Sequence, residues 1–357
     1  MNKRNVPINK GNYSMDTAER EALFEQNRGD GWEQEYAEYR RKWSEYAQQQ
    51  QTSDFPLLVD IELSSLCNLT CPMCYTITDE FKQQVNVTRM DWGLYKKIID
   101  EIDGKVPAIR LSLRGEATLH TKFIEAIKYA KDHGIKEVSM LTHGGKLTLP
   151  YFQKMVEAGI DWITISVDGL GETYERVRKP LKFGDLLDKI KAIKQYKEEH
   201  QMKRPVIKVQ GIWPAIAESG PDAYYNTFAP CTDLVAFNPL IDYLSNDTRI
   251  EYLEEFTCPQ QYQRLVIGAD GLVMKCSNDE ENREVIGDIK RESVHQVWHG
   301  EKMKGVRAMH LQPRGFMQSA VCRKCYLPRK TNDEVATVGT RTFTVRNYVH
   351  RLQIIGK

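Results

Sequence analysis

Three cysteines stand at CxxxCxxC spacing in Cys67-Asn68-Leu69-Thr70-Cys71-Pro72-Met73-Cys74. Three thiolates within eight residues can hold three irons of a [4Fe-4S] cube and leave the fourth iron without a protein ligand. An open coordination position is what separates a catalytic metal site from a closed structural one. With eight cysteines in 357 residues, this pattern arises by chance with a probability of about 0.004. Zinc is the competing reading. It calls for a fourth nearby Cys or His, and none lies within twenty residues of Cys74. Four further cysteines, Cys258, Cys276, Cys322 and Cys325, are enough to ligate a second [4Fe-4S] cluster completely. Their spacing also leaves a zinc ribbon open. Only Cys231 is left over, and its place before a strand suggests a buried structural thiol, with a hydrogen-donor role as the alternative.

Composition narrows the setting for this chemistry. Fifty basic residues balance 49 acidic ones, so no electrostatic footprint for nucleic acid is present. No apolar run reaches the roughly 18 residues of a membrane span, and the first 20 residues lack the apolar stretch of an export signal. Cysteines clustered at motif spacings in such a chain read as metal ligands in a reducing cytoplasm. The expected location is cytoplasmic, without membrane or nucleic-acid partners.

The elements that must position the cysteines follow from periodicity. Residues 1–54 predict a helical segment, with a run over 17–51 whose Trp32, Tyr36, Tyr39, Trp43 and Tyr46 fall on one stripe. That stripe suits either packing on the main domain or a partner-binding arm. Residues 55–250 alternate between strand-like runs (56–63, 108–113, 137–141, 162–167, 206–212 and 234–237) and amphipathic stretches (91–102, 121–133, 149–158, 183–200 and 222–228). Six βα repeats predict an α/β fold, a partial (β/α)6 TIM-like barrel or an open parallel sheet. Residues 251–330 change character, with an Asp270-Gly271 hairpin signal between two short strands, and predict a small α+β extension. The tail, 331–357, holds a β-prone run over 341–346 with no assigned role.

Ligands in such folds sit at the carboxyl ends of the strands. The first strand runs into Cys67–Cys74. The next ends carry Arg114-Gly115-Glu116, Thr142-His143-Gly144-Gly145, Ser166-Val167-Asp168-Gly169, Gln210-Gly211-Ile212-Trp213 and Asn238-Pro239-Leu240-Ile241-Asp242. Glycines there also serve ordinary strand-to-helix turns. The recurrence of polar residues beside them marks a ligand-binding rim, with Asp242, Asn238 and Gln210 as positional candidates for substrate contact.

CNLTCPMC after a strand that opens a βα-repeat domain resembles the signature of the radical S-adenosylmethionine (SAM) superfamily. RGEATLH (114–120) is similar to the family's GGEP-type motif, LTHGG to its TNG, and ISVDG to its fourth strand ending. The downstream Cys258, Gly271, Cys276, Gly287, Trp298 and Cys322-x2-Cys325 resemble the SPASM-type extension. Departures are Met73 where an aromatic is usual, Arg114 and Ala117 in place of the first glycine and the proline of GGEP, and His143 in place of asparagine.

The resemblance implies that Cys67, Cys71 and Cys74 ligate a cluster whose free iron chelates SAM. Reductive cleavage there would yield a 5′-deoxyadenosyl radical that takes hydrogen from substrate. It also implies an auxiliary [4Fe-4S] cluster on Cys258, Cys276, Cys322 and Cys325. Met73, Gly115, Glu116, Thr142, Ser166, Asp168 and Gln210 are the expected cofactor-binding residues, with Glu116 facing the methionine ammonium group. Arg114, His143 and Asp242 are the candidates for catalytic roles. Arg114 suits a grip on a substrate anion or a structural brace, and His143 a base or a turn cap.

The expected function is oxidation of a small molecule such as a sugar or cyclitol, with the second cluster accepting an electron. Its partners would be that small-molecule substrate and an electron-donating flavodoxin or ferredoxin. A peptide- or protein-modifying maturase is the alternative, followed by a non-catalytic iron–sulfur or zinc scaffold.

Overall fold

The computed structural model describes residues 5–8, 13–239 and 250–348; Asp242 lies outside them. A short strand β1 (Tyr13–Ser14) precedes six parallel strands: β2 (Leu58–Ile61), β3 (Ala108–Arg110), β4 (Glu137–Thr142), β5 (Trp162–Ser166), β6 (Val206–Ile212) and β7 (Leu234–Asn238). Each is a nearly continuous buried run, as expected for parallel strands covered on both faces. The helices between them bury one stripe each. In Trp92–Ile102, Asp91 caps the first turn through Leu94 N–H, and Tyr95, Ile98, Ile99 and Ile102 face the sheet.

The chain then adds β8 (Arg264–Ile267), β9 (Leu272–Met274) and β10 (Val285–Asp288) to the same sheet. β8 pairs parallel with β2, from Leu58 opposite Arg264 to Ile61 opposite Ile267. The order is β1-β7-β6-β5-β4-β3-β2-β8-β9-β10, and among the described residues it does not close into a barrel. The architecture is therefore α/β with an open, mostly parallel sheet whose edge strands β1, β9 and β10 pair antiparallel. The strand that opens the cysteine loop is interior to it, flanked by β3 and β8.

The 17–51 run forms two helices, Ala18–Arg28 and Glu33–Gln49, instead of one. The break falls at Gly29–Gly31, where Gly31 has φ +81° and a side chain on Gly29 would come within 2.8 Å of the Tyr36 ring. Together the two helices floor the sheet at its amino end, touching strand after strand at the first residue. Trp32, Tyr36, Tyr39 and Trp43 cluster with Leu57, Leu58 and Ala108. Arg28 pairs with Glu137 at 2.9 Å with both side chains buried, and Phe24 packs on Trp162, Val206 and Leu234. The aromatic stripe thus packs on the main domain, and the carboxyl ends are left for the site.

The tail folds into a separate hairpin, β11 (Thr331–Val338) with β12 (Arg341–Tyr348). Phe343 packs on Trp213 and Phe237, and Arg341 lies over the Tyr225 ring at 3.6 Å. The hairpin therefore sits against the ends of β6 and β7. Among the described residues, no helix is long and apolar enough to cross a membrane.

Candidate active site

Cys71 is buried, Cys74 half-buried and Cys67 exposed, on a loop that other strand ends hold in place. Ser65 anchors the loop's start, its N–H and Oγ both 3.0 Å from the Thr88 carbonyl. From the end of β3, Glu116 N–H donates to the Leu66 carbonyl at 2.8 Å. This approach is possible because residue 115 is glycine. A Cβ there would lie 2.4 Å from the carbonyl oxygens of Ser64 and Leu66. From the end of β4, His143 Nε2 meets Asn68 Oδ1 at 2.9 Å. Beyond β5, the Lys179 carbonyl accepts from Thr70 N–H at 3.4 Å.

Glu116 is buried and heavily used. Its Oε1 accepts from Thr118 Oγ1 at 2.6 Å and Thr142 Oγ1 at 2.7 Å, and its Oε2 from His143 N–H at 3.0 Å. His143 Nδ1 accepts from Gly145 N–H at 3.0 Å, which places the ring proton on Nε2, toward Asn68. Burial holds His143 below the ordinary histidine range, against the opposing pull of Glu116. It both caps the turn and ties the cysteine loop.

Asp168 is likewise enclosed. Its Oδ2 lies 2.6 Å from both Nε and Nη2 of Arg178, and its Oδ1 accepts from Ile212 N–H at 2.9 Å. Arg178 in turn directs Nη1 toward Cys71 Sγ at 3.9 Å. Sequence reasoning missed Arg178, which stands ten residues beyond Asp168 in a stretch with no motif of its own. Met73, Ser166, Gln210 and Asn238 are half-buried on the same rim, Ser166 and Gln210 side by side in register.

Arg114 does not face the rim. Its Nη2 and Nε bind Glu62 at 2.5 and 2.8 Å, and its Nη1 reaches Asn282 Oδ1 at 2.8 Å and the Glu280 carbonyl at 3.2 Å. Glu62 also accepts from Ala269 N–H at 3.0 Å. Of the two roles open to Arg114, this geometry is that of the brace, joining β2 to the segments after β8 and β9. The correction has a plain cause: Glu62, at the end of β2 and fully buried, supplies the countercharge. Glu62 was not singled out from sequence.

Of the second set of cysteines, Cys258 and Cys322 share a small core with Phe256 and Phe316. Ser319 caps the helix Ala320–Lys324 through Cys322 N–H, and Cys325 closes it. Donors point at the sulfurs: Asn278 Nδ2 at 2.9 Å and Leu327 N–H at 3.4 Å from Cys325 Sγ, and Lys275 Nζ at 3.2 Å from Cys322 Sγ. Such bonds are what iron–sulfur thiolates accept. Cys231 is buried at the amino end of β7, its Sγ against the carbonyls of Thr227 and Phe228.

Comparison with known proteins agrees with both sites. The radical SAM superfamily matches residues 61–203, and an iron–sulfur cluster-binding domain, SPASM, matches 258–326. Over 156 residues the chain is 30% identical to the tungsten-containing aldehyde ferredoxin oxidoreductase cofactor-modifying protein of Pyrococcus furiosus, 42% of each chain. It is 26% identical to the PqqA peptide cyclase of Bradyrhizobium diazoefficiens, covering 34% of this chain and 31% of that one. The match thus spans less than half the length of these curated relatives. Among solved structures, BtrN in complex with AdoMet and 2-DOIA aligns with a TM-score of 0.51 at 17% identity, over 76% of this chain and 92% of that one. SuiB of Streptococcus suis bound to the precursor peptide SuiA aligns with a TM-score of 0.52 at 13% identity, over 81% and 75%. With a SAM-binding [4Fe-4S] site at the strand ends and a second iron–sulfur site after them, the chain belongs to the radical SAM superfamily and is an enzyme with a C-terminal SPASM-type domain.

Proposed function

We propose that this enzyme removes two electrons from a small polar metabolite of the sugar or cyclitol kind. When bound, the first cluster and SAM supply a 5′-deoxyadenosyl radical that abstracts hydrogen, and the second cluster supplies an electron sink. Cys67, Cys71 and Cys74 hold the first and Cys258, Cys276, Cys322 and Cys325 the second. Glu116, fixed by Thr118, Thr142 and His143, receives the methionine ammonium group. Arg178, fixed by Asp168, presents a cation beside Cys71 for the methionine carboxylate. Ser166 and Gln210 contact the remainder of SAM or the substrate.

The observation that carries oxidation over epimerisation is the placement of the leftover thiol. Epimerisation needs a hydrogen donor on the substrate's second face, and Cys231 sits at the wrong end of the sheet, buried against Phe228. Peptide modification is the second reading, favoured by the peptide-acting relatives. Against it stands the amino-terminal segment, whose aromatic face is consumed in flooring the sheet.

The test is anaerobic reconstitution to about eight irons per chain, followed by SAM and dithionite. Formation of 5′-deoxyadenosine is expected, rising with a polyol substrate and matched by one carbonyl formed per SAM consumed. Substrate recovered with one inverted centre and deuterium from solvent would overturn oxidation.

A further inference from the structure

Asp54, His295 and His299 form a group of ligand-type side chains at the opposite end of the sheet from the cysteine loop. Asp54 precedes β2, whereas Cys67–Cys74 follows it. His295 and His299 are i and i+4 on the helix Val294–His299, so both rings leave one face, with centroids 4.5 Å apart. One ligand atom from each ring and one carboxylate oxygen of Asp54 lie within 4.8 Å of one another. His295 Nε2 is 3.1 Å from Asp54 Oδ1, and His299 Nε2 donates to the Asp54 carbonyl at 2.9 Å.

The scaffold beneath them is built independently of these contacts. Trp298 Nε1 donates to the Ser53 carbonyl at 2.8 Å, fixing the linker on the helix. The Glu101 carboxylate accepts the Val294 and His295 N–H groups at 2.8 and 2.9 Å, and Ser293 with Gln296 forms a capping box. The Phe55 ring packs on His295 at 5.1 Å.

We propose that Asp54, His295 and His299 bind one divalent transition metal, with zinc as the cognate ion. Two imidazoles and a carboxylate suit zinc, nickel and copper and disfavour magnesium and calcium. Three protein ligands leave a fourth tetrahedral position for water. The His299 ring exchanges its bond to the Asp54 carbonyl for the metal. The link staples the linker after the amino-terminal helices to the iron–sulfur extension, between residues 54 and 295–299.

The test uses tag-free full-length protein with both clusters assembled, dialysed against micromolar ZnCl2. One zinc per chain above background is expected, with iron content unchanged. The bound zinc should fall at least tenfold in His295→Ala/His299→Ala and in Asp54→Asn. Cu2+ as a spectroscopic probe should show coupling to two nitrogens by electron paramagnetic resonance, lost in the double variant. Zinc retained in full by the double variant would place it on cysteines and overturn the proposal, as would no zinc in the parent protein. Formation of 5′-deoxyadenosine stays at the parent level in all variants, so this outcome is separable from the oxidase reading.

Discussion

The ammonium of Lys275 lies 3.2 Å from Cys322 Sγ, on a side chain with no solvent exposure. Glu284 anchors it at 2.7 Å, and Ser319 Oγ contacts both Lys275 and Glu284. A fixed positive charge and hydrogen bond at a ligating thiolate favour the reduced state of an iron–sulfur site. Lys275→Met should therefore lower the midpoint potential of the second cluster. A tenfold change in the one-electron equilibrium, about 59 mV, is the expected scale, read by potentiometric titration. Lys275→Arg should recover part of it. An unchanged potential in Lys275→Met, with eight irons still bound, would show that the ammonium is only structural.

Glu116 joins the ends of β3 and β4 through Thr142 and His143. Glu116→Gln keeps the shape but removes the charge and turns an amide toward groups that donate. Hydrogen bonds to charged groups contribute about 1.5–3 kcal/mol. SAM should therefore bind roughly ten- to hundredfold more weakly, with iron content intact. The dependence of 5′-deoxyadenosine formation on SAM concentration measures this directly. Equal affinity in the variant would remove Glu116 from the cofactor site.

The parts legible in the sequence were those encoded locally. β4 through β7 and the helices predicted over 149–158, 183–200 and 222–228 lie within a residue or two of the predicted runs. Buried parallel strands read as apolar stretches, and these helices keep a 3.6-residue stripe. The short helices Gly171–Val177 and Trp213–Ser219 were not predicted. Gly115 and Glu116 stood out because they follow the predicted run 108–113, although β3 itself ends at Arg110. Arg178 did not, since its meaning depends on Cys71, 107 residues away, and on Asp168 folding back to orient it. Glu62 and Arg114 could be paired only once β2 and β3 were known to be neighbours. The pairing of β8 with β2, which makes the iron–sulfur extension part of the main sheet, joins segments some two hundred residues apart. No periodicity reports such a contact.

Gly115 is the point where the segment after β3 meets the cysteine loop. Alanine there would place a methyl group 2.4 Å from two backbone carbonyls and 2.5 Å from a third backbone atom. Backbone cannot rotate aside as a side chain can, so the loop must shift. Overpacking of this kind costs about 1–3 kcal/mol. Gly115→Ala should lower the melting temperature and drop iron from about eight toward about four per chain, with the second cluster retained. Full iron loading in this variant would show that the loop tolerates the displacement.

His143 gives the site a pH dependence with a definite sign. Burial lowers its pKa in the folded protein, so the fold favours the neutral ring that accepts from Gly145 and donates to Asn68. Above the unfolded value of about 6.5 the ring is neutral in both states, and its contribution is fully present. As pH falls below that value, the unfolded chain takes up a proton that the folded chain refuses. Stability is then lost, at up to about 1.4 kcal/mol per pH unit, until the folded pKa is reached. Anaerobic urea titrations between pH 7.5 and 5.5 should show this slope. His143→Gln, which keeps one donor and one acceptor but does not titrate, should flatten it by up to one proton. An equal slope in both proteins would place the titration elsewhere.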